Sequence, residues 1–220
     1  MRALDWLLPR HCVVCRWPGE ELCPPCRRAL PRIAGPLCMR CGAPTAWPVG
    51  RCAECSGRRL AFASARAAVL YDAAVRALVA GWKERGLRRL AALAADLVVE
   101  TVPPPEPAVV TFVPPDAERS AGRGHHPAER LASALADRWR LELRPLLARA
   151  RPSARQRGLR LSERRRNVAG AFRPAGRGPV RVLLVDDVYT TGATASAAAS
   201  ALRRGGVRRV DVVTLARAVR

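Results

Sequence analysis

The chain has 220 residues, 39 Lys and Arg against 18 Asp and Glu, and a formal net charge of +21. This is enough for one domain with a small appendage, and the basic excess points to polyanionic partners. No run of about 18 apolar residues is present, which excludes a membrane-spanning helix. The N-terminal stretch from Met1 to Cys12 lacks the apolar length and the cleavage site of a signal peptide, so the protein is expected in the cytoplasm.

All eight cysteines precede residue 56, in four Cys-x-x-Cys pairs: Cys12/Cys15, Cys23/Cys26, Cys38/Cys41 and Cys52/Cys55. Two thiolates three positions apart in a tight turn grip one metal, and two such knuckles complete a tetrahedral site. Four pairs predict two closed structural Zn2+ sites. Neighbouring pairs would group Cys12, Cys15, Cys23 and Cys26 in one site and Cys38, Cys41, Cys52 and Cys55 in the other; interleaved pairing is the alternative. Disulfides would need an oxidising compartment, for which there is no signal. His11 adjoins the first knuckle but is surplus to it.

Gly57-Arg58-Arg59 closes the module, so the chain divides into residues 1–59 and 60–220. Ala65 to Tyr71 reads as a strand, and Asp72 caps a helix with Val75, Leu78, Val79 and Trp82 on its apolar face. A second helix runs from about Leu87 to Val102 and ends at a proline cluster. Ala108 to Val113 is a short buried strand. Pro127 starts a helix with Leu131, Leu135 and Trp139 on one face. Residues 150 to 172 carry Arg151, Arg155, Arg157, Arg160, Arg164, Arg165 and Arg166, which suits a mobile basic lid or a nucleic-acid arm.

The most informative stretch is Val182-Leu183-Leu184-Val185-Asp186-Asp187-Val188-Tyr189-Thr190-Thr191-Gly192-Ala193-Thr194. Four apolar residues predict a strand buried on both faces. Thr190, Thr191, Gly192, Ala193 and Thr194 then open onto a small-residue helix that ends near Arg204. Free backbone N–H groups and the positive dipole end make such a junction a phosphate site. Asp186 and Asp187 lie beside it, within reach of sugar hydroxyls or a metal. Val210 to Leu215 follows as a parallel strand, with any ligand at the carboxyl ends of the strands.

This stretch resembles the phosphoribosyl pyrophosphate (PRPP) motif of type I phosphoribosyltransferases. With the cysteine module, Lys83-x-x-Gly86, Val113-Pro114-Pro115-Asp116, Arg123-Gly124, and the segment from Gln156 through Arg164, Asn167 and Phe172, the whole chain resembles the ComF/ComFC family. The resemblance implies an α/β fold of the type I phosphoribosyltransferase kind, a mostly parallel sheet flanked by helices, behind a double zinc ribbon. It implies PRPP with Mg2+ as ligand, displacement of pyrophosphate at ribose C1, and a role in DNA uptake with single-stranded DNA and competence-machinery proteins as partners. Asp186 and Asp187 would hold the ribose hydroxyls, and Thr190 to Thr194 the 5-phosphate. Arg119 and Arg123 would face the pyrophosphate, and Gln156, Arg164 and Asn167 would belong to a lid. The family's Arg-Gly-Phe-Asn-Gln stands here as Arg123-Gly124-His125-His126-Pro127, and its second proline after Val113-Pro114 is replaced by Asp116. Turnover and acceptor are therefore left open. A binding module that senses PRPP while its basic face holds DNA is the rival reading, with Trp17, Trp47 and Trp139 as stacking candidates.

Overall fold

The computed structural model describes residues 10–83, 86–106, 108–115, 126–150 and 170–219. The element order is α1 (Pro24–Ala29), β1 (Ser64–Leu70), α2 (Ala73–Lys83), α3 (Leu90–Thr101), β2 (Val109–Phe112), α4 (Pro127–Trp139), β3 (Leu147–Arg149), β4 (Phe172–Pro174), β5 (Arg181–Tyr189), α5 (Ala193–Arg204) and β6 (Arg209–Arg217). Four strands form one sheet in the order β1-β6-β5-β2, and every pairing in it is parallel. Helices cover it, as the sequence predicts. A two-stranded antiparallel ribbon, β3 with β4, has no counterpart in the sequence expectations. Three-residue strands carry too little periodicity to be read.

Local chemistry explains most of the boundaries. The Asp72 carboxylate accepts the Val75 N–H at 2.8 Å and so starts α2. Val75, Leu78, Val79 and Trp82 are all buried along one side of that helix. Pro127 opens α4, where its missing N–H costs nothing, and Arg140 ends it in the left-handed conformation at φ 54°. The apolar run of β5 is buried throughout, from Val182 to Val185. That strand continues through both acids to Tyr189, so Asp186 and Asp187 belong to the strand end rather than to the loop beyond it.

Alternation along the strands divides the core in two. Leu183, Val185, Val213 and Leu215 pack with α2, α3 and α4. Val182, Leu184, Val210 and Val212 pack with α5 and with Leu147 and Phe172 of the small ribbon. Each face also receives one part of the cysteine module: Cys12 and Cys23 join the first cluster, and Cys38, Cys41 and Cys55 the second. The segment between them runs along β1, where Ile33 donates to the Ala68 carbonyl at 2.9 Å and Leu70 donates to the Pro31 carbonyl at 2.9 Å.

Candidate functional site

All eight cysteines are free thiols. Cys12, Cys15, Cys23 and Cys26 form one group, and Cys38, Cys41, Cys52 and Cys55 another, with the sulfurs of each group within 4.8 Å of one another. Neighbouring knuckles therefore pair, and the interleaved scheme is not adopted. Sulfur separations of 3.6 Å for Cys15–Cys23, 3.6 Å for Cys38–Cys55 and 3.5 Å for Cys41–Cys52 approach the roughly 3.8 Å edge of a tetrahedron with 2.3 Å Zn–S bonds. Burial alone would raise the Cys38 thiol. The backbone N–H groups of Cys41, Cys52 and Arg40 outweigh it and bring Cys38 down to about 6. Cys12 reaches about 6 in the same way, through the N–H groups of Cys15, Cys23 and Val14 against its own burial. Backbone donors aimed at a sulfur favour the thiolate that zinc requires. His11 is exposed and is no member of either group.

The acid pair lies at the carboxyl end of β5, beside the start of α5. Asp187 forms an ion pair with Lys83 at the end of α2. Asp186 accepts the Asp187 N–H at 2.9 Å. Burial pushes the Asp186 carboxyl up to about 7, and the neighbouring Asp187 charge adds to the rise; Lys83, the Asp187 N–H and Arg149 oppose it. Burial alone would lower Lys83, but attraction to Asp187 and then Asp186 carries it above its ordinary value. Lys83, the only lysine in the chain, is thus a site residue that its sequence position did not disclose. The one available signal was its place in Lys83-x-x-Gly86.

The loop from Thr190 to Gly192 turns at Gly192, whose φ is 70°. A Cβ there would lie 2.3 Å from the Tyr189 hydroxyl oxygen, so the position demands glycine for conformation and for space. The Ala193 N–H donates to the Thr191 hydroxyl at 3.2 Å, and Ser196 donates to the Gly192 carbonyl at 2.8 Å. A small cavity of about 10 Å3 adjoins the first turn of α5, lined by Asp186, Tyr189, Thr190, Gly192, Thr194 and Thr214. The structure thus gathers Asp186, Asp187, Thr190, Thr191, Gly192, Ala193 and Thr194 at one strand–helix junction. Arg119, Arg123, Gln156, Arg164 and Asn167 lie outside the described residues.

An open groove of about 620 Å3 runs beside α5, between it and the end of the cysteine module, lined by Arg58, Arg59, Gly170, Ser196, Ser200 and Arg204 among others. Arg204 also donates to the Phe172 carbonyl at 3.0 Å, and Arg58 donates to the Thr191 carbonyl. Trp17 and Trp47 project from the module, at 70% and 68% exposure, and Trp139 packs partly buried against the core. No helix among the described residues is long and apolar enough to cross a membrane.

A family model described as the double zinc ribbon domain matches residues 3–56. The N-terminal module is a double zinc ribbon with two four-cysteine zinc-binding sites. Competence protein F of Haemophilus influenzae is 36% identical over 143 residues, 62% of this chain and 62% of that protein. The DNA utilization protein YhgH of Salmonella typhi is 29% identical over 228 aligned positions, covering 96% of this chain and 98% of that protein. The chain is a homologue of these proteins. The resemblance read from the sequence, to ComF proteins with an N-terminal double zinc ribbon, is borne out. The match with competence protein F spans less than two thirds of that relative's length. Among solved structures, orotate phosphoribosyltransferase from Aeropyrum pernix is similar with a TM-score of 0.36 and 24% identity, over 67% of each chain. A Thermus thermophilus protein is similar with a TM-score of 0.32 and 23% identity, over 60% of this chain and 83% of that one.

Proposed function

We propose that the chain is a ComF-type phosphoribosyltransferase-like protein that binds PRPP with Mg2+ at Asp186 to Thr194 and serves DNA uptake in the cytoplasm. In this reading residues 1–59 form the zinc module and residues 60–220 the phosphoribosyl-binding part. The observation that carries it is the juxtaposition of an acid pair with a glycine turn and a helix N-terminus at one strand end. The donor set suits the ligand. Backbone N–H groups and the Thr190, Thr191 and Thr194 hydroxyls would hold the 5-phosphate. Asp186 and Asp187 offer hard oxygens to ribose hydroxyls or to Mg2+. Mg2+, when bound, would neutralise charge on the departing pyrophosphate.

Lys83 bears on the mechanism, because it already holds one carboxylate of the pair. It holds Asp187 in place in the ligand-free state, and an entering ligand would replace that contact by one with the ribose or its cation. Burial raises Asp186 to about 7, and a bound cation would favour its ionised form. Arg119 and Arg123 would balance the pyrophosphate, and Gln156, Arg164 and Asn167 would help to exclude water from it. Calorimetry with PRPP and Mg2+ tests the assignment: binding that Asp187→Asn abolishes supports it, and no heat with the wild-type protein sinks it. A screen for pyrophosphate release across candidate acceptors then separates an enzyme from a binding protein.

The occupied Asp187 favours a second reading, in which the protein binds phosphoribosyl ligands without turnover. In both readings Arg58, Arg59 and Arg204 around the open groove, with Trp17 and Trp47, would meet single-stranded DNA. Phosphate contacts require affinity to fall steeply with salt, so a flat response would count against that contact.

A further inference from the structure

Arg217 is a buried charge that the phosphoribosyl site does not use directly; it is 1% exposed. Its guanidinium donates through Nη1 to the Cys41 carbonyl at 2.6 Å and through Nη2 to the Glu54 carboxylate at 2.6 Å, and it lies 3.6 Å from the Cys41 sulfur. Cys41 is a ligand of the second four-cysteine group, and Glu54 immediately precedes another ligand, Cys55. The other side of the guanidinium faces Tyr189, with Cζ 4.6 Å from the ring centroid. Register explains this meeting, because Tyr189 and Arg217 are directly paired neighbours on β5 and β6. Tyr189 in turn forms the floor beneath Gly192.

A second arm reaches the same loop. The Arg58 N–H donates to the Cys55 carbonyl at 3.2 Å, and its guanidinium bonds the Glu54 carbonyl at 3.4 Å and the Thr191 carbonyl. The second cysteine group therefore holds the loop from below through Arg217 and Tyr189, and from the side through Arg58. The first group is tied elsewhere: Arg27 and Arg32, on and just beyond α1, pair with Glu100 of α3.

We propose that metal occupancy of the Cys38–Cys41–Cys52–Cys55 group sets the conformation of the 190–194 loop, with Arg217 and Arg58 as positioning residues. Metal–thiolate bonds hold the knuckle turns that present the Cys41 carbonyl, Glu54 and the Cys55 carbonyl. When those turns relax, both arginines lose their anchors, and a buried guanidinium without its acceptors cannot keep its place. Ligand binding at the loop then becomes conditional on zinc about one knuckle away. The binding consequence rests on the phosphoribosyl reading above; the loop consequence does not.

Hydrogen exchange of the peptide spanning Tyr189 to Ser196, in the full-length zinc-loaded protein, tests the coupling. Arg58→Ala should speed exchange there roughly fivefold, the effect of one lost hydrogen bond. Zinc content and exchange in β1 should stay unchanged, and Arg58→Lys should restore part of the protection. Graded chelation, with the released cysteines mapped by alkylation, should speed loop exchange as the second group loses metal and not as the first does. Arg217→Lys should act like Arg58→Ala with a larger effect; if it fails to fold, Arg58→Ala decides. Unchanged loop exchange in Arg58→Ala, or loop exchange that follows the first group, overturns the proposal. Faster loop exchange in a protein that never binds PRPP would uphold the coupling and remove the phosphoribosyl reading.

Discussion

Gly192→Ala puts the phosphate loop to its sharpest test. The substitution adds one carbon to a residue at φ 70°, where an L side chain is strained by about 1 kcal/mol. That carbon would stand 2.3 Å from the Tyr189 oxygen, 2.6 Å from Cζ and 2.9 Å from Cε2. The tyrosine is 4% exposed and wedged between Phe62, edge-on at 6.2 Å, and Arg217, so it has little room to retreat. Overpacking of this kind costs about 1–3 kcal/mol, giving about 2–4 kcal/mol in all. At roughly 2–4 °C per kcal/mol for a chain of this size, thermal denaturation should move down by about 5–15 °C. The double variant Gly192→Ala/Tyr189→Leu removes the steric part and leaves the backbone strain. It should lose about 1–3 kcal/mol less than the two single changes summed. A Gly192→Ala protein that melts within about 1 °C of wild type would refute the close approach of Tyr189 and the left-handed turn together.

Three further outcomes are expected. Lys83→Met leaves Asp187 without its ion-pair partner and should cost about 1–3 kcal/mol in chemical denaturation, whereas Lys83→Arg should retain most of the stability. Asp186 binds its proton more tightly folded, at about 7, than unfolded, near its ordinary 3.8. Ligand-free protein should therefore gain stability from this group as pH falls from about 7 toward 4, and Asp186→Asn should erase that part of the slope in melts taken across the range. Cation-dependent ligand binding should run the opposite way, strengthening as pH rises through 7 and the carboxylate forms. Elemental analysis should return about two zinc per chain, and Cys12→Ser or Cys38→Ser should each remove about one.

The parts legible in the sequence were those whose cause is local. The Asp72 cap, the Pro127 start and the apolar run of β5 each act within one turn or a few strand positions, and each element stands where expected, although β5 continues four residues past its apolar run to Tyr189. Knuckle spacing disclosed two metal groups because chelation by Cys-x-x-Cys is itself local. The strand–helix junction that carries the acid pair and the Thr190 to Thr194 loop was legible for the same reason. Lys83, Arg58 and Arg217 were missed as site residues because their roles depend on distant partners. Lys83 meets Asp187 across 104 positions, Arg58 meets Thr191 across 133, and Arg217 meets Cys41 across 176. In a chain with 39 basic residues, nothing in their neighbours distinguishes a buried arginine from a solvated one. The assignment of the two cysteine groups to opposite faces of the sheet was equally invisible, since it follows from strand alternation in elements far along the chain.

The stretch joining the two ribbons has a consequence for solubility. β1 ends the strand order on one side and β2 on the other, so both would offer unpaired backbone to a second molecule. Arg32 bridges to Val69 with its neighbours bonded to β1, and Glu142 and Arg144 bond Val110 of β2. Each edge is thus covered by a segment too short to be a strand. The cover on β1 is itself suspended between two metal groups. A protein stripped of zinc would loosen that cover and leave the edge of β1 as a template for intermolecular β-pairing. Metal starvation would then be expressed as self-association.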